Sequence, residues 1–240
     1  MPRFPIHALE SLRIANQNAG RRLFSAHLFG GDGAPGPAGN GMTMSPERAI
    51  AEVPFCPTVI VCAGNEPIQH ITRGLLAWLR RLERHGALLG ALDTGTLALA
   101  AAGLLDGCQA TLHWEAIALF REHHPEVRVS EQLYTFERNR MTCAGGIATL
   151  DMMLHLIALK HGRDLAQIVA NGFVHGRLRR DAEQQRVSVD DALVDPRLGR
   201  IVRAMEENIE LPLGARELAA QARISVRQLE RLVRGRFATT

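Results

Sequence analysis

The sequence lacks closely spaced cysteines and has few aromatic residues. None of its four cysteines lies in a CxxC pair, which excludes zinc-ribbon and thioredoxin-type motifs, and four cysteines in 240 residues do not form a disulfide framework. Aromatic side chains make up only 5% of the chain, whereas hydrophobic residues as a whole reach 46%, enough for a sizeable core. We therefore expect a globular protein of a reducing compartment, the cytoplasm.

An uninterrupted apolar run of membrane-spanning length is also lacking. Residues 86–105 carry few charges, but Asp93 lies at their middle, and a carboxylate inside a bilayer is costly. The first ten residues have no long apolar stretch and already include Glu10, unlike a signal peptide. We expect no membrane association and interpret residues 86–105 as a buried strand followed by a buried helix.

The chain has no excess of positive charge until its last 25 residues. Residues 1–175 contain 15 basic and 15 acidic side chains, and residues 176–215 contain 7 and 8. Residues 216–240 contain 6 basic side chains against 2 acidic ones, which accounts for the net charge of +3. A small basic unit behind a neutral domain suits a protein that binds nucleic acid.

Strand and helix patterns alternate through the first three quarters of the chain. Short β-branched or apolar runs predict strands, and amphipathic stretches between them predict helices. The predicted strands are Leu23–Phe29, Thr58–Cys62, Ala87–Leu92, Gln109–Leu112 and a hairpin of Leu133–Phe136 with Arg140–Cys143. This alternation indicates an α/β fold with a largely parallel, flavodoxin-like sheet and helices on both faces.

We expect two domains. The α/β domain should span residues 1–176, and a polar, charged linker should occupy residues 177–195. Residues 196–240 should form a small all-α unit of three helices. The second and third of these are joined by a tight turn, as in a helix-turn-helix.

The third of these helices has two chemically different faces. Ser225 is placed to be its N-cap, and Leu229 lies on an apolar stripe with Val226, Leu232 and Val233. The other face carries Arg227, Gln228, Glu230, Arg231 and Arg234. Arginine can bind guanine bidentately or hold phosphates. The alternative is an ordinary solvated face of a surface helix.

The pattern Leu218-Ala219-x-x-Ala222-x-Ile224-Ser225-x-Arg227-x-Leu229-x-Arg231-Leu232 resembles the first helix-turn-helix of the AraC family of transcription regulators. The resemblance implies that Arg227, Glu230 and Arg231 face DNA bases. We expect the recognition helix to start at Ser225, with Arg234 or Arg236 nearer phosphates. An AraC-type domain has two such motifs, and this sequence ends after the first. We therefore expect DNA binding by these 240 residues to be weak.

A second motif lies where the strand ending at Leu92 turns into a helix. The segment Leu92-Asp93-Thr94-Gly95-Thr96 predicts a sharp strand–turn–helix, which places residue 93 beside free N–H groups of the helix. An enzyme would have Cys or Ser there, whereas this sequence has Asp93. The alternative is that Asp93 or Thr94 simply caps the helix.

This region resembles the PfpI-type domain, similar to class I glutamine amidotransferases. His113, in Thr111-Leu112-His113-Trp114, matches the position of a partner histidine, and Glu10 matches an acidic position in the first helix. Cys143-Ala144-Gly145-Gly146 followed by a helix also fits. Because that family's sheet has a strand before the position of Phe4, we expect the sequence to be truncated at both ends.

A PfpI-type domain joined to an AraC-type unit is the arrangement of GlxA-type regulators, which commonly respond to amino acids or quaternary amines and control their catabolism. The resemblance therefore implies a transcription regulator that is not an enzyme, with an effector site at Glu10, Asp93, Thr94 and His113. The expected partners are double-stranded promoter DNA, a small-molecule effector, RNA polymerase and a second copy of the chain. We expect no cofactor and no metal ion. The alternatives are a cysteine-dependent amidase or protease, with Cys143 as one candidate nucleophile, and an inactive fragment.

Overall fold

The structure is a computed structural model that describes residues 6–39, 41–64, 67–177, 179–180, 183–185, 196–208 and 211–237. The chain divides into two compact units, Met1–Gln185 and Arg186–Thr240. We label the first the sensor unit and the second the reader unit, after the two roles that the sequence resemblance implies. Of the linker expected at residues 177–195, positions 178, 181, 182 and 186–195 lie outside the described residues.

The sensor unit is built on a four-stranded sheet. Its strands are β5 (Thr58–Ala63), β6 (Leu88–Asp93), β9 (Tyr134–Glu137) and β10 (Arg140–Cys143), in the order β5-β6-β10-β9. β6 pairs in parallel with both β5 and β10, and β9 and β10 form an antiparallel hairpin. These strands confirm the α/β prediction. The short flanking strands are β1 (Phe29–Gly30), β2 (Gly36–Pro37), β3 (Thr43–Met44), β4 (Arg48–Ala49), β7 (Gln109–Ala110) and β8 (Arg128–Val129).

Helices cover both faces of this sheet, because successive side chains of a strand point to opposite sides. Leu89 of β6 packs in a core with helices on one face of the sheet, and Leu92 packs in a second core with helices on the other face. The helices of the sensor unit are α1 (Ile6–Ala19), α2 (Arg73–Arg84), α3 (Thr96–Ala101), α4 (Ile117–His123), α5 (Ala148–His161) and α6 (Arg163–Gly172). The first core takes Leu79 of α2 and Leu99 of α3, and the second takes Met152 of α5.

The strand predicted at Leu23–Phe29 was wrong for most of its length. Only Phe29 belongs to a strand, in the two-residue pairing of β1 with β4. The reason is local. The Asn16 side chain accepts hydrogen bonds from the backbone N–H groups of Leu23 and Phe24 at 2.7 and 2.9 Å and donates to the Phe24 carbonyl at 2.8 Å. Backbone groups bound to a side chain cannot join a strand ladder.

Among its described residues, the reader unit has three helices around a core of its own. They are α7 (Pro196–Glu207), α8 (Ala215–Gln221) and α9 (Val226–Phe237). Leu198 and Ile201 of α7, Leu218 of α8 and Leu229 of α9 are buried together. Met205, also on α7, is 52% exposed. In the part of the chain that the structure describes, no helix is both long and apolar enough to cross a membrane.

Candidate functional site

The elbow, which we define as residues 92–96, has the sharp turn predicted from the sequence. β6 ends at Asp93, whose φ of 57° lies in the left-handed region that few non-glycine residues adopt. Gly95 allows the turn because a Cβ atom at this position would overlap the Val61 carbonyl oxygen and come within 2.9 Å of the Leu92 oxygen. Glycine alone fits there.

Asp93 is enclosed by the backbone around it. The residue is only 2% exposed. Gly145, at a φ of 87°, lies so close that a Cβ atom on it would come within 2.9 Å of the Asp93 Cβ and 3.1 Å of its carboxylate. Two residues with a left-handed backbone, Asp93 itself and Gly145, therefore meet at the carboxyl ends of β6 and β10.

The threonines of the elbow bind neighbouring carbonyl groups. The Thr94 hydroxyl donates to the Gly64 carbonyl at 2.6 Å, and the buried Thr96 hydroxyl donates to the Thr111 carbonyl at 3.0 Å. The N-cap of α3 is Gly95, which makes no side-chain cap. The Thr94 hydroxyl therefore holds the elbow to Gly64, the residue that follows β5.

The other two predicted effector residues have partners of their own. Glu10 of α1 is half-buried and pairs with Arg13, whose Nη2 lies 2.5 Å from Oε1. This hydrogen bond holds the pKa of the Glu10 carboxyl below its usual value. The His113 Nδ1 lies 3.4 Å from a carboxylate oxygen of Glu115, and the side chain is 19% exposed. Asp93 and Thr94 are thus adjacent at the elbow, whereas Glu10 and His113 are engaged by side chains near them in sequence.

Cys143, the candidate nucleophile of the enzyme alternative, is buried at the end of β10. Burial raises the pKa of its thiol to about 12, although the Gly145 N–H, 3.4 Å from the sulfur, acts in the opposite direction. The nucleophilic form of cysteine is the thiolate, which is scarce at neutral pH when the pKa is that high.

A buried ion pair in the sensor unit was missed from the sequence. Asp151 of α5 is 1% exposed, and its carboxylate accepts hydrogen bonds from Arg179 Nη2 at 2.7 Å and Nε at 3.0 Å. Its other oxygen lies 3.0 Å from His175 Nε2. An acidic residue within the apolar stretch of α5 was a signal that a cationic partner was needed. The partner could not be located, because it lies 28 positions along the chain.

The N-terminus of α9 has the cap that the sequence predicted. The Gln228 N–H donates to the Ser225 hydroxyl oxygen at 3.3 Å, and the Gln228 side-chain oxygen accepts from the Ser225 N–H at 2.9 Å. This reciprocal pair is a capping box, which fixes where the helix starts. The start sets the direction of every following side chain on α9.

The basic face of α9 points to solvent. Leu229 is 5% exposed and packs in the reader core, whereas Arg227, Glu230, Arg231 and Arg234 are all exposed. Together with Ser225 and Gln228 they line one shallow surface concavity. All five predicted DNA-binding residues therefore lie on one surface of the reader unit.

The turn before α9 ends α8 in a Schellman motif. The Ile224 N–H donates to the Ala219 carbonyl at 3.0 Å, and the Arg223 N–H donates to the Ala220 carbonyl at 3.0 Å. Arg223 occupies the left-handed position of this motif, with a φ of 55°. This turn gives the tight connection of a helix-turn-helix.

The chain is similar to curated bacterial regulators along nearly its whole length. It is 42% identical over 231 residues to the HTH-type transcriptional regulator CdhR of Pseudomonas aeruginosa, covering 95% of this chain and 68% of that protein. It is 35% identical over 230 residues to the HTH-type transcriptional regulator GlxA of Rhizobium meliloti, covering 95% and 71%. The chain belongs to the GlxA-type AraC family of transcriptional regulators. No family model matches the sequence.

Other relatives agree with this assignment. The HTH-type transcriptional regulator GbdR of Pseudomonas aeruginosa is 41% identical over 227 residues, which span 94% of this chain and 62% of that protein. A solved AraC family transcriptional regulator from Pseudomonas putida matches with a TM-score of 0.64 and 25% identity, covering 70% of this chain and 90% of the other. A ThiJ/PfpI family protein from Pseudomonas syringae matches with a TM-score of 0.64 and 17% identity, covering 92% and 87%. The predicted flavodoxin-like fold class is confirmed.

Proposed function

We propose that this regulator binds duplex DNA through α9 and senses a small metabolite, an amino acid or a quaternary amine, to control catabolic genes. The observation that carries the DNA-binding part is the geometry of α9. Its capping box fixes the helix start, its apolar side packs in the reader core, and Arg227, Arg231 and Arg234 are exposed on the opposite side. This is the geometry of a helix that enters a major groove.

Within this proposal, Arg227 and Arg231 contact base edges and Arg234 contacts phosphate. A bidentate base contact contributes about 1–3 kcal/mol of discrimination between sequences, whereas a phosphate contact strengthens binding to all sequences alike. Glu230 lies between the arginines and restricts which bases they can approach, because its carboxylate accepts hydrogen bonds only from base amino groups. The two kinds of contact can be separated by experiment.

DNA binding is tested by selecting bound duplexes from a random library and measuring affinity as a function of salt. Arg231→Ala should weaken sequence preference at one position, and Arg234→Ala should lower the salt slope by about one with little change in preference. Arg216→Ala removes an exposed arginine from α8 and is the matched control. Equal effects of Arg216→Ala and Arg231→Ala would refute the assignment of α9 as the reading helix.

The effector site proposed for the sensor unit is centred on Asp93 and Thr94, with Glu10 and His113 as further ligands. The Asp93 carboxylate is buried, and a buried negative charge attracts a cationic ligand group more strongly than an exposed one does. Since Gly145 packs against Asp93, a ligand would have to displace the turn at residues 145–146 to reach the carboxylate.

A thermal-shift screen with arginine, carnitine and betaine tests this site. A ligand present at a hundred times its dissociation constant adds about 2.7 kcal/mol to the stability of the sensor unit. Asp93→Asn keeps the shape of the side chain and should abolish the shift, whereas Asp106→Asn, at an exposed turn, should leave it unchanged. A full shift in Asp93→Asn would place the ligand elsewhere.

We also propose that the protein is not a hydrolase. The elbow carries Asp93 instead of a nucleophilic cysteine, and burial keeps the Cys143 thiol protonated. Assays with amide, peptide and glutamine substrates should match a blank for both wild type and Cys143→Ala. Turnover that disappears in Cys143→Ala would reverse this conclusion.

The remaining partners and the location follow from the same proposal. A regulator of transcription needs access to promoter DNA and RNA polymerase, which places it in the cytoplasm. A second copy of the chain is proposed because two-fold symmetric dimers are common among DNA-binding regulators. Analytical ultracentrifugation with and without duplex DNA measures directly whether the chain forms a dimer.

A further inference from the structure

The N-terminus of α9 carries a side-chain amide whose orientation is fixed. The Ser225 backbone N–H donates to the Gln228 side-chain oxygen at 2.9 Å, and the Ser225 hydroxyl donates to the same oxygen at 3.1 Å. Because a backbone N–H can only donate, the atom that faces it must be the amide oxygen and not the amide nitrogen. The Gln228 Nε2 therefore lies on the side away from Ser225.

The Gln228 Nε2 is a hydrogen-bond donor that the reader unit leaves available. Gln228 is exposed, and among the described residues none accepts a hydrogen bond from its Nε2. An amide nitrogen carries two N–H groups and cannot accept a hydrogen bond. Gln228 lines the same concavity as Arg227, Arg231 and Arg234. The surface proposed to bind DNA therefore has an uncharged donor beside these arginines.

Gln228 lies at one edge of the charged face of α9. Each residue of an α-helix is rotated by about 100° from the residue before it, so Arg227 and Arg231 lie about 40° apart, whereas Gln228 lies about 100° from Arg227. Leu232, one turn after Gln228, packs against the reader core. When a helix enters a major groove, the middle of its outer face meets base edges and its flanks meet the sugar-phosphate walls. The position of Gln228 therefore favours a contact with phosphate.

The two helices of the helix-turn-helix differ in the residue that accepts from the N-cap backbone. In α8 this residue is Glu217, whose Oε2 accepts from the Gly214 N–H at 2.7 Å, whereas in α9 it is Gln228. Either glutamate or glutamine can fill this position, and the positive end of the helix dipole favours glutamate. The stability of the cap alone therefore does not account for an uncharged residue at 228. A carboxylate there would repel a phosphate, whereas an amide can donate to it.

We propose that Gln228 binds a phosphate of the DNA backbone through Nε2, with its amide oriented in advance by Ser225. This inference rests on the proposed function of α9 in DNA binding. Because the amide is already held, it loses little conformational freedom when DNA binds, and a phosphate contact strengthens binding to every sequence alike. Because Gln228 is uncharged, its loss should leave the salt slope unchanged, unlike the loss of Arg234.

Gln228→Glu separates the cap from the DNA contact. The carboxylate can still accept from Ser225, so the urea midpoint of the reader unit should stay the same or rise. Affinity of the full chain for a duplex selected from the random library should fall by about tenfold, because the donor is lost and a negative charge faces the phosphate. Gln221→Glu adds the same charge at an exposed position at the end of α8 and is the matched control. Equal affinities of the two variants overturn the proposal.

A scan of the same duplex with single methylphosphonates, each of which replaces one charged phosphate oxygen by a methyl group, locates the contact. At one position the substitution should weaken binding of wild type by about fivefold, and this loss should be absent in Gln228→Met, which has a similar length and no donor. The salt slope and the sequence preference of Gln228→Met should match those of wild type.

The scan also distinguishes a phosphate contact from the other roles of Gln228. A purely structural role would lower the folded fraction of Gln228→Met and leave its losses, per folded molecule, equal to those of wild type at every phosphate, which overturns the proposal. A changed preference at one base pair also overturns it, because Gln228 would then contact a base edge. Absence of binding by wild type would instead refute the proposed function, on which this inference rests.

Discussion

The elbow of the sensor unit and the turn of the reader unit use the same uncommon backbone conformation in opposite surroundings. Asp93 and Arg223 have φ values of 57° and 55°. Asp93 is 2% exposed and lies against the backbone of Gly145, whereas Arg223 is exposed in a turn that ends α8. A left-handed residue at the elbow is therefore imposed by tertiary packing, and the one in the reader turn by two local hydrogen bonds.

This difference indicates how each region tolerates change. At the elbow, neighbouring backbones are so close that a single added atom must move one of them. On α9 the side chains proposed to contact DNA are exposed, so they can be replaced without disturbing the reader core. Replacing an exposed side chain of α9 should therefore change DNA binding without changing the stability of the reader unit. A replacement at the elbow that changes function should also change the stability of the sensor unit.

Gly95→Ala should give the largest loss of stability, because it changes the sharp turn of the elbow. The added Cβ would overlap the Val61 carbonyl, and we expect the free energy of unfolding of the sensor unit to fall by about 3 kcal/mol. Gly74→Ala is the control, because a Cβ there meets only the Thr72 hydroxyl at 3.8 Å and replaces glycine within α2. It should stabilise the protein by up to about 1 kcal/mol. Urea unfolding measures both, and equal midpoints would show that the elbow can relax.

Leu229→Ala tests how far the reader unit depends on its core. Leu229 is the buried anchor of α9, and its truncation should cost about 2–3 kcal/mol, close to the low end for buried leucine. DNA binding should be lost together with the folding of the reader unit, while the sensor unit unfolds as before. Leu211→Ala, at a position that is 82% exposed, should change stability by less than about 0.5 kcal/mol. A normal DNA affinity in Leu229→Ala would contradict the helix-turn-helix assignment.

Local features were predictable from the sequence, and long-range contacts were not. The Ser225 cap and the sharp turn at Asp93 each depend on a few neighbouring residues, and the structure contains both. The strand expected at Leu23–Phe29 depended on a neighbouring strand to pair with. Instead, the backbone N–H groups of Leu23 and Phe24 donate hydrogen bonds to the Asn16 side chain. The Asp151–Arg179 pair could not be found because residues 28 positions apart share no periodicity.

The same limit applies to the candidate sites. Periodicity separated the apolar and charged faces of α9, because the helix repeat alone decides which side chains share a face. No comparable rule places Glu10, His113 and Asp93 relative to one another, since they come from three different elements. Their predicted meeting at one effector site therefore stays a prediction.

The pH dependence of the free energy of unfolding tests whether the Cys143 thiol is buried. Cys143 pairs with Leu92, the first residue of the elbow. Burial raises the pKa of its thiol in the folded state to about 12, whereas the unfolded thiol titrates near 8.5. Between these values the folded state holds a proton that the unfolded state has lost, so this contribution to stability falls as pH rises from about 8.5 towards 12. We expect the stability difference between wild type and Cys143→Ala to shrink by about 1–2 kcal/mol from pH 8 to pH 10. A constant difference would mean that the thiol is accessible to water.

Arg223→Gly should give the smallest effect, and it has the opposite sign. A non-glycine residue in the left-handed region is strained by about 1 kcal/mol, and glycine is the residue that Schellman motifs favour at this position. Part of this gain is offset because glycine makes the unfolded chain more flexible. We therefore expect the reader unit to become more stable by about 0.5 kcal/mol, measured by urea unfolding. Arg216→Gly removes the same charge from the first turn of α8, where glycine is unfavourable, and should destabilise the unit by a similar amount. If both variants lower stability equally, Arg223 contributes through a contact of its side chain, and the turn is not held by its two backbone hydrogen bonds alone.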